Sequence, residues 1–315
     1  MSFAAIMFLV LGLITLFIGA EGLIRGSASL AIKLGITPLV VGLTVVAFGT
    51  GTPELVVSLK AAIIGNSTIS LGNVVGSNIA NIAFVLGFSA IIRPLDVNVI
   101  VIRKEIPILI GLSILLILLL LDGELDLIDG LIFVLGIIFY TIVNIKMARK
   151  ERNIEVKNEF KKSLETRLGV SVSIILIVGG LGLLILGANL FVNNAIAIAK
   201  AIGVSDAVVG LTIVAFGTSL PELITAAVAS YKKEPDIAVG NVVGSNIFNI
   251  LGILGVTALI SSVNAGDLNY FDFGIMLFTA IILLPLSKTG FKISRLEGLF
   301  LVSGYIVYIY SLLPK

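Results

Sequence analysis

Apolar residues along this chain come in long unbroken blocks, not in the alternating or 3.6-residue patterns of a half-buried strand or helix. Divided at charged or turn-forming residues, the apolar runs fall near 3–24, 37–64, 69–91, 105–121, 128–146, 169–194, 207–230, 237–262, 271–287 and 294–313. Most reach the ~20 residues that a helix needs to cross the hydrocarbon of a bilayer, which predicts an all-α membrane protein with ten transmembrane helices. The first run has no basic leader and is followed by many more spans, so it reads as mature helix and not as a signal peptide. One long hydrophilic stretch interrupts the series, giving segments 1–145 and 169–315 joined by a loop at 146–168.

Charge orients the helices. The loop carries Lys146, Arg149, Lys150, Arg152, Lys157, Lys161, Lys162 and Arg167, which places it in the cytoplasm by the positive-inside rule. Ten spans then put 18 basic residues inside and three, Lys60, Lys200 and Lys315, outside, with both termini outside. Asp122, Glu124, Asp126 and Asp129 share an outer loop, and Asp267 and Asp272 fall in another.

The two segments are copies at a constant offset of 168, with 25 of 46 positions identical between 42–87 and 210–255. Each copy has five predicted helices, an odd number, so the second must enter the membrane from the opposite face. Inverted-topology repeats of this kind are an architecture of secondary transporters.

Composition narrows the chemistry. The 315 residues are 58 % hydrophobic and 13 % charged, with a net charge of +2, and there is no Cys and no His. Disulfides, thiolate or imidazole metal sites and His-based triads are excluded, and no basic surplus is available for nucleic acid. Only carboxylates, hydroxyls, amides and backbone carbonyls remain.

Glu54 and Glu222 lie deep in apolar spans at matched positions, where a carboxylate is costly. Pro53 and Pro221 precede them and should break each helix, leaving carbonyls between Ala47 and Thr50, and between Ala215 and Thr218, without helical partners. Asn73, Ser77 and Asn81 recur every four residues, as do Asn241, Ser245 and Asn249, forming a polar stripe on each of two helices. Ser77, Asn81 and their copies, the deeper members, are the better ligand candidates; hydrogen bonding between helices is the competing role. Such an all-oxygen donor set suits a hard cation, Ca²⁺ or Na⁺. With no nucleotide motif, an ion gradient would drive transport.

The segments AFGTGTPEL (47–55) with GNVVGSNIAN (72–81), and AFGTSLPEL (215–223) with GNVVGSNIFN (240–249), resemble the paired repeats of the calcium/cation antiporter superfamily, most closely its prokaryotic sodium/calcium exchanger branch. The resemblance implies a Ca²⁺/Na⁺ antiporter of the cell membrane working by alternating access. It implies Glu54 and Glu222 as shared ligands, helped by carbonyls of Ala47, Thr50, Ala215 and Thr218 and by side chains of Ser77, Ser219, Ser245, Asn81 and Asn249. No cofactor beyond the transported ions, no nucleic acid and no protein partner are expected, and one chain in a lipid bilayer suffices. Two departures leave the number of coupled ions open: Gly51 replaces the usual Ser, and Asn249 stands where Asp is frequent. Gly-Thr before the key Glu, where proton-coupled relatives carry Gly-Asn, favours Na⁺. A Ca²⁺/H⁺ antiporter on the same scaffold is the first alternative, and a cation channel the second.

Overall fold

A computed structural model of the chain describes residues 3–34, 36–65, 67–150, 168–201, 215–265 and 270–312. The first segment contains α1 (Phe3–Leu34), α2 (Pro38–Thr50), α3 (Thr52–Ile63), α4 (67–92), β1 (Leu95–Asp96), α5 (Val101–Asp122), β2 (Glu124–Leu125) and α6 (Leu127–Lys150). The second contains α7 (Val170–Ala201), α8 (Ala215–Thr218), α9 (Leu220–Tyr231), α10 (Pro235–Ile260), β3 (Val263–Asn264), α11 (Tyr270–Lys288), β4 (Lys292–Ile293) and α12 (Arg295–Leu312).

Seven described helices are long and apolar enough to cross a membrane, and α2 with α3 forms a further span bent by 45°. Large apolar side chains such as Leu118, Phe139, Ile175 and Phe300 stay exposed on the outer helices, while α4 and α10, which carry the Asn and Ser residues, fill the centre. This arrangement suits a lipid solvent, with polar groups packed inward and apolar faces outward.

The structure departs from the sequence expectations in three ways. The first span does not end near Arg25: α1 continues to Leu34, with Gly26 packed against Ser173 of α7 and Arg25 paired with Glu21 one turn earlier on the same helix. The all-α expectation misses two antiparallel ladders of two residues each, β1 with β4 and β2 with β3, which tie together the ends of α4, α5, α10 and α11. The expected span 207–230 is described only from residue 215, and most of the loop expected at 146–168 also lies outside the described residues.

Contacts come in pairs that exchange the two segments. Gly12 meets Gly187 and Gly19 meets Gly180; Gly87 meets Gly298 and Gly130 meets Gly255; Leu95 pairs with Ile293 and Leu125 with Val263. Applying the offset of 168 to both members of one contact yields the other, as a two-fold axis through the molecule requires. The longest helices, α1 and α7, cross antiparallel: Gly12, Gly19 and Gly26 meet Gly187, Gly180 and Ser173 in reverse order. The approach is backbone to backbone, since a Cβ on Gly19 would lie 2.8 Å from the Gly180 carbonyl oxygen.

Candidate metal centre

The centre is built where α2 gives way to α3 and α8 to α9. Gly51 adopts φ −76° and ψ 2°, the chain turns there, and α3 restarts with Pro53 in its first turn. Proline is well placed in a first turn, where its missing amide would have had no intrahelical acceptor. Glu54 therefore occupies the amino-terminal turn of a new helix, whose unsatisfied amides favour negative charge. Ser219, at φ −86° and ψ 5°, performs the same turn before α9, with Pro221 and Glu222 in the first turn. Both glutamates are 1 % exposed.

The expected loss of helical partners does not hold for Ala47. Its carbonyl accepts the Gly51 amide at 3.0 Å, because the helix closes that bond before the chain turns. The Thr50 hydroxyl is within donating reach of the Ala47 carbonyl at 3.4 Å and of Asn241 Oδ1 at 3.1 Å. Ala215 and Thr218 bound α8, the copy of the last turn of α2.

From the central helices come the amides. Asn73 is a tie between helices: its Nδ2 donates to the Glu54 carbonyl at 3.2 Å and to Ser58 Oγ at 2.9 Å. Asn241 ties α10 to α9 in the same way, through the Glu222 carbonyl at 3.4 Å. Two residues that the four-residue stripe does not contain, Asn78 and Asn246, sit on the two-fold axis. Asn78 Nδ2 donates to the Asn246 carbonyl at 3.4 Å and Asn246 Nδ2 to the Asn78 carbonyl at 3.1 Å. Their Oδ1 atoms accept from Asn249 Nδ2 and Asn81 Nδ2, each at 3.0 Å. The identical Gly-Ser-Asn triplets at 76–78 and 244–246 were the available signal. Asn81 and Asn249 lie in π-helical segments, Ala80–Leu86 and Asn249–Leu254, a local widening that recurs at functional sites.

These bonds consume the nitrogens and spare the oxygens. Glu54 Oε2, Glu222 Oε2, Asn81 Oδ1, Asn249 Oδ1 and Ser245 Oγ are all buried without a hydrogen-bond partner. Ser77 is buried beside them in sequence, and Ser219 Oγ donates to Glu54 Oε1 at 3.4 Å across the two segments. Glu54 feels the charge of Glu222, and no third acidic side chain joins them among the described residues. Nor does a described lysine or arginine pair with either glutamate. Ionised carboxylates buried without a fixed counter-charge are strongly disfavoured, so this donor set fits a cation that comes and goes.

The two approaches to the centre differ. A cavity of about 290 Å³ separates α3 from α7, lined by Thr52, Pro53, Val56 and Val57 on one wall and Ile185, Ala188, Asn189 and Val192 on the other, and it reaches Gly217 and Thr218. On the opposite approach α1 packs along α9, and Lys232 Nζ lies 2.7 Å from Glu21 Oε1.

Residues 4–146 and 172–313 match the sodium/calcium exchanger protein family. The chain belongs to that family. Among its relatives, CaxA of Alkalimonas amylolytica is 36 % identical over 98 % of both chains. The sodium/calcium exchanger MaX1 of Methanosarcina acetivorans is 31 % identical over 96 % of both. The solved structure of the sodium-calcium exchanger NCX_Mj, soaked with Na⁺ and Ca²⁺, covers 100 % of both chains with a TM-score of 0.86 at 33 % identity. Members of this exchanger family are ion transporters, not enzymes, and the apolar helices make this one a multi-pass membrane protein.

Proposed function

We propose that this family member exchanges Ca²⁺ for Na⁺ across the membrane by alternating access to one site at the level of Glu54 and Glu222. The observation that carries the reading is the group of buried, unpartnered oxygens on those glutamates, Asn81, Asn249 and Ser245. Ca²⁺ takes six to eight oxygen ligands in flexible geometry, and Na⁺ accepts the same hard donors. Backbone carbonyls at 47, 50, 215 and 218 and the hydroxyls of Ser77 and Ser219 complete the set. The name of MaX1, and the name of NCX_Mj with the ions in which it was soaked, support these two ions as cargo.

The seven long helices, the bent α2–α3 span, α12 and the span expected from the sequence at 207–230 would give ten crossings. They divide into inverted repeats, 1–145 and 169–315, with the loop 146–168 in the cytoplasm and both termini outside. The α3–α7 cavity then opens outward and the Glu21–Lys232 contact closes the cytoplasmic side. Ser163→Cys should react with an impermeant maleimide only from the cytoplasm and Asn264→Cys only from outside; reversed labelling would invert the topology.

The decisive experiment uses proteoliposomes loaded with Na⁺ and diluted into Na⁺-free buffer containing Ca²⁺, with pH clamped equal on both sides. Ca²⁺ uptake is expected. Uptake that ignores Na⁺ and requires a pH gradient would instead assign the glutamates to proton carriage.

A further inference from the structure

Two grooves in the outer wall of the molecule are copies of each other, and their mouths differ in charge. One lies between α5 and α6 and the other between α11 and α12; Gly136, Phe139 and Tyr140 of the first correspond to Gly304, Val307 and Tyr308 of the second. The walls of both are mainly apolar. Leu251 of α10 floors the first groove, 3.2 Å from where a Cβ on Gly136 would lie, so this groove reaches past the outer helices to a central one. It encloses about 610 Å³, and its copy about 180 Å³. Small-molecule sites span about 300–1,000 Å³, so only the first has the room of one.

In each groove the tyrosine hydroxyl donates to an acid, but the two acids do not correspond. Tyr308 donates to Asp272 at 2.9 Å, and Tyr140 to Glu105 at 2.6 Å. The copy of Asp272 is Lys104, and that of Glu105 is Phe273. Glu105 is 1 % exposed, so here the acid is withdrawn into the protein and the neighbouring surface position is held by a cation. Arg103, the copy of Phe271, stands beside it, and both basic side chains are exposed and line the groove. Lys104 Nζ lies 3.8 Å from Met147 Sδ and so leans across the mouth toward α6. Neither cation is within salt-bridge distance of a described carboxylate. This mouth is at the end of α6 that runs into the hydrophilic stretch, where headgroups and water meet the hydrocarbon.

We propose that the α5–α6 groove is a binding site for an anionic phospholipid, whose phosphate rests on Arg103 and Lys104 while an acyl chain lies along Phe139 and Leu251. The chemistry is complementary at both ends: hydrocarbon against the apolar walls, and a negative headgroup against two cations, as in other basic pockets between membrane helices. The α11–α12 groove, with Phe271 and Asp272 at the corresponding places, takes no such lipid. The inference needs these helices to lie in a bilayer and does not depend on which ions are exchanged.

The chain has no tryptophan, so a single introduced one reports its own surroundings. Phe139→Trp and Val307→Trp place it at corresponding positions, 70 % and 68 % exposed, one in each groove. Each variant is reconstituted in mixtures of phosphatidylglycerol and phosphatidylcholine, with the acyl chains of one lipid brominated at a time. Quenching at Phe139→Trp should favour brominated phosphatidylglycerol, and Arg103→Gln or Lys104→Gln added to it should each lower that preference about five-fold. Val307→Trp should show no preference for the anionic lipid. Equal quenching by the two lipids at Phe139→Trp overturns the proposal, as does a preference that survives Arg103→Gln/Lys104→Gln or is matched at Val307→Trp. Quenching by neither lipid also overturns it, since another surface then covers the groove. Should Phe139→Trp not fold, native mass spectrometry decides: the wild-type chain should retain phosphatidylglycerol over phosphatidylcholine and Arg103→Gln/Lys104→Gln should not, and equal retention by the two proteins refutes the site.

Discussion

Lys232→Gln should shift the exchanger toward the state in which the approach between α1 and α9 is open. Lys232, just beyond α9, meets Glu21 on α1 at 2.7 Å, and both side chains are 26 % exposed. The contact exists only while α1 lies along α9. Its copies under the offset of 168 are Ile64 and Asn189, which cannot form an ion pair, so these two positions give the other approach no matching contact. An exposed pair contributes up to about 1 kcal/mol, and a short, three-quarters-buried one belongs at that upper end. Glu21 keeps Arg25 as a partner, so the substitution strands no acid. Loss of about 1 kcal/mol from one state changes the ratio of the two by about five-fold. The chain has no native cysteine, so the shift can be read by maleimide labelling at two matched positions. Val57 lines the cavity and is 37 % exposed, whereas its copy Thr225 is 0 % exposed on the closed side. In the Lys232→Gln background, Thr225→Cys should label about five-fold faster and Val57→Cys should not gain. Unchanged rates at Thr225→Cys would show that the ion pair does not hold the closed approach. A pair installed on the other side by Asn189→Glu with Ile64→Lys should move labelling the opposite way.

Glu54→Gln and Glu222→Gln should each abolish Na⁺-driven Ca²⁺ uptake while leaving a monodisperse protein on size-exclusion chromatography; an active Glu222→Gln variant would remove that residue from the site. Gly180→Ala should lower thermal stability by about 1–3 kcal/mol through overpacking, because its Cβ would sit 2.7 Å from the Gly19 carbonyl oxygen and from the Leu23 amide. Gly182→Ala, with nothing within 4 Å, is the matched control and should change the melting temperature little. Asn78→Ala removes the acceptor for Asn249 Nδ2 and a donor to the Asn246 carbonyl, a cost of about 1–3 kcal/mol for each buried group left unpaired. A lower melting temperature and weaker Ca²⁺ binding by calorimetry should follow, and unchanged Ca²⁺ affinity would mean that Asn249 does not depend on this brace.

Much of the site was legible because the chain states it twice. One mid-span proline or carboxylate admits several explanations, but Pro-Glu at 53–54 and again at 221–222 admits few. What escaped the sequence depends on the path of the backbone. A four-residue period selects one face of an ideal helix, so it passes over Asn78 and Asn246, which lie one residue beyond Ser77 and Ser245 and reach the axis beside π-helical segments. The carbonyl expected to be free at Ala47 is bonded, because the helix turns at Gly51 and not one residue earlier. The contact of the Phe248 ring with Gly51 was hidden for another reason: the two residues are 197 positions apart, and only the fold brings them together.

The same duplication bears on the energetics of exchange. If the second state is the first with the roles of the two segments exchanged, every contact between identical copies contributes equally to both and cancels in their difference. With 25 of 46 aligned positions identical in the core repeats, much of the packing around the centre cancels in this way, which keeps the two states close enough in energy for ions to shift the balance. Bias can then arise only where the copies differ. Glu21 against Asn189 and Lys232 against Ile64 act on which approach is closed. Substitutions at these two pairs should therefore alter direction while sparing the fold, whereas changes at the identical pairs, such as Asn78 with Asn246, should impair both states together.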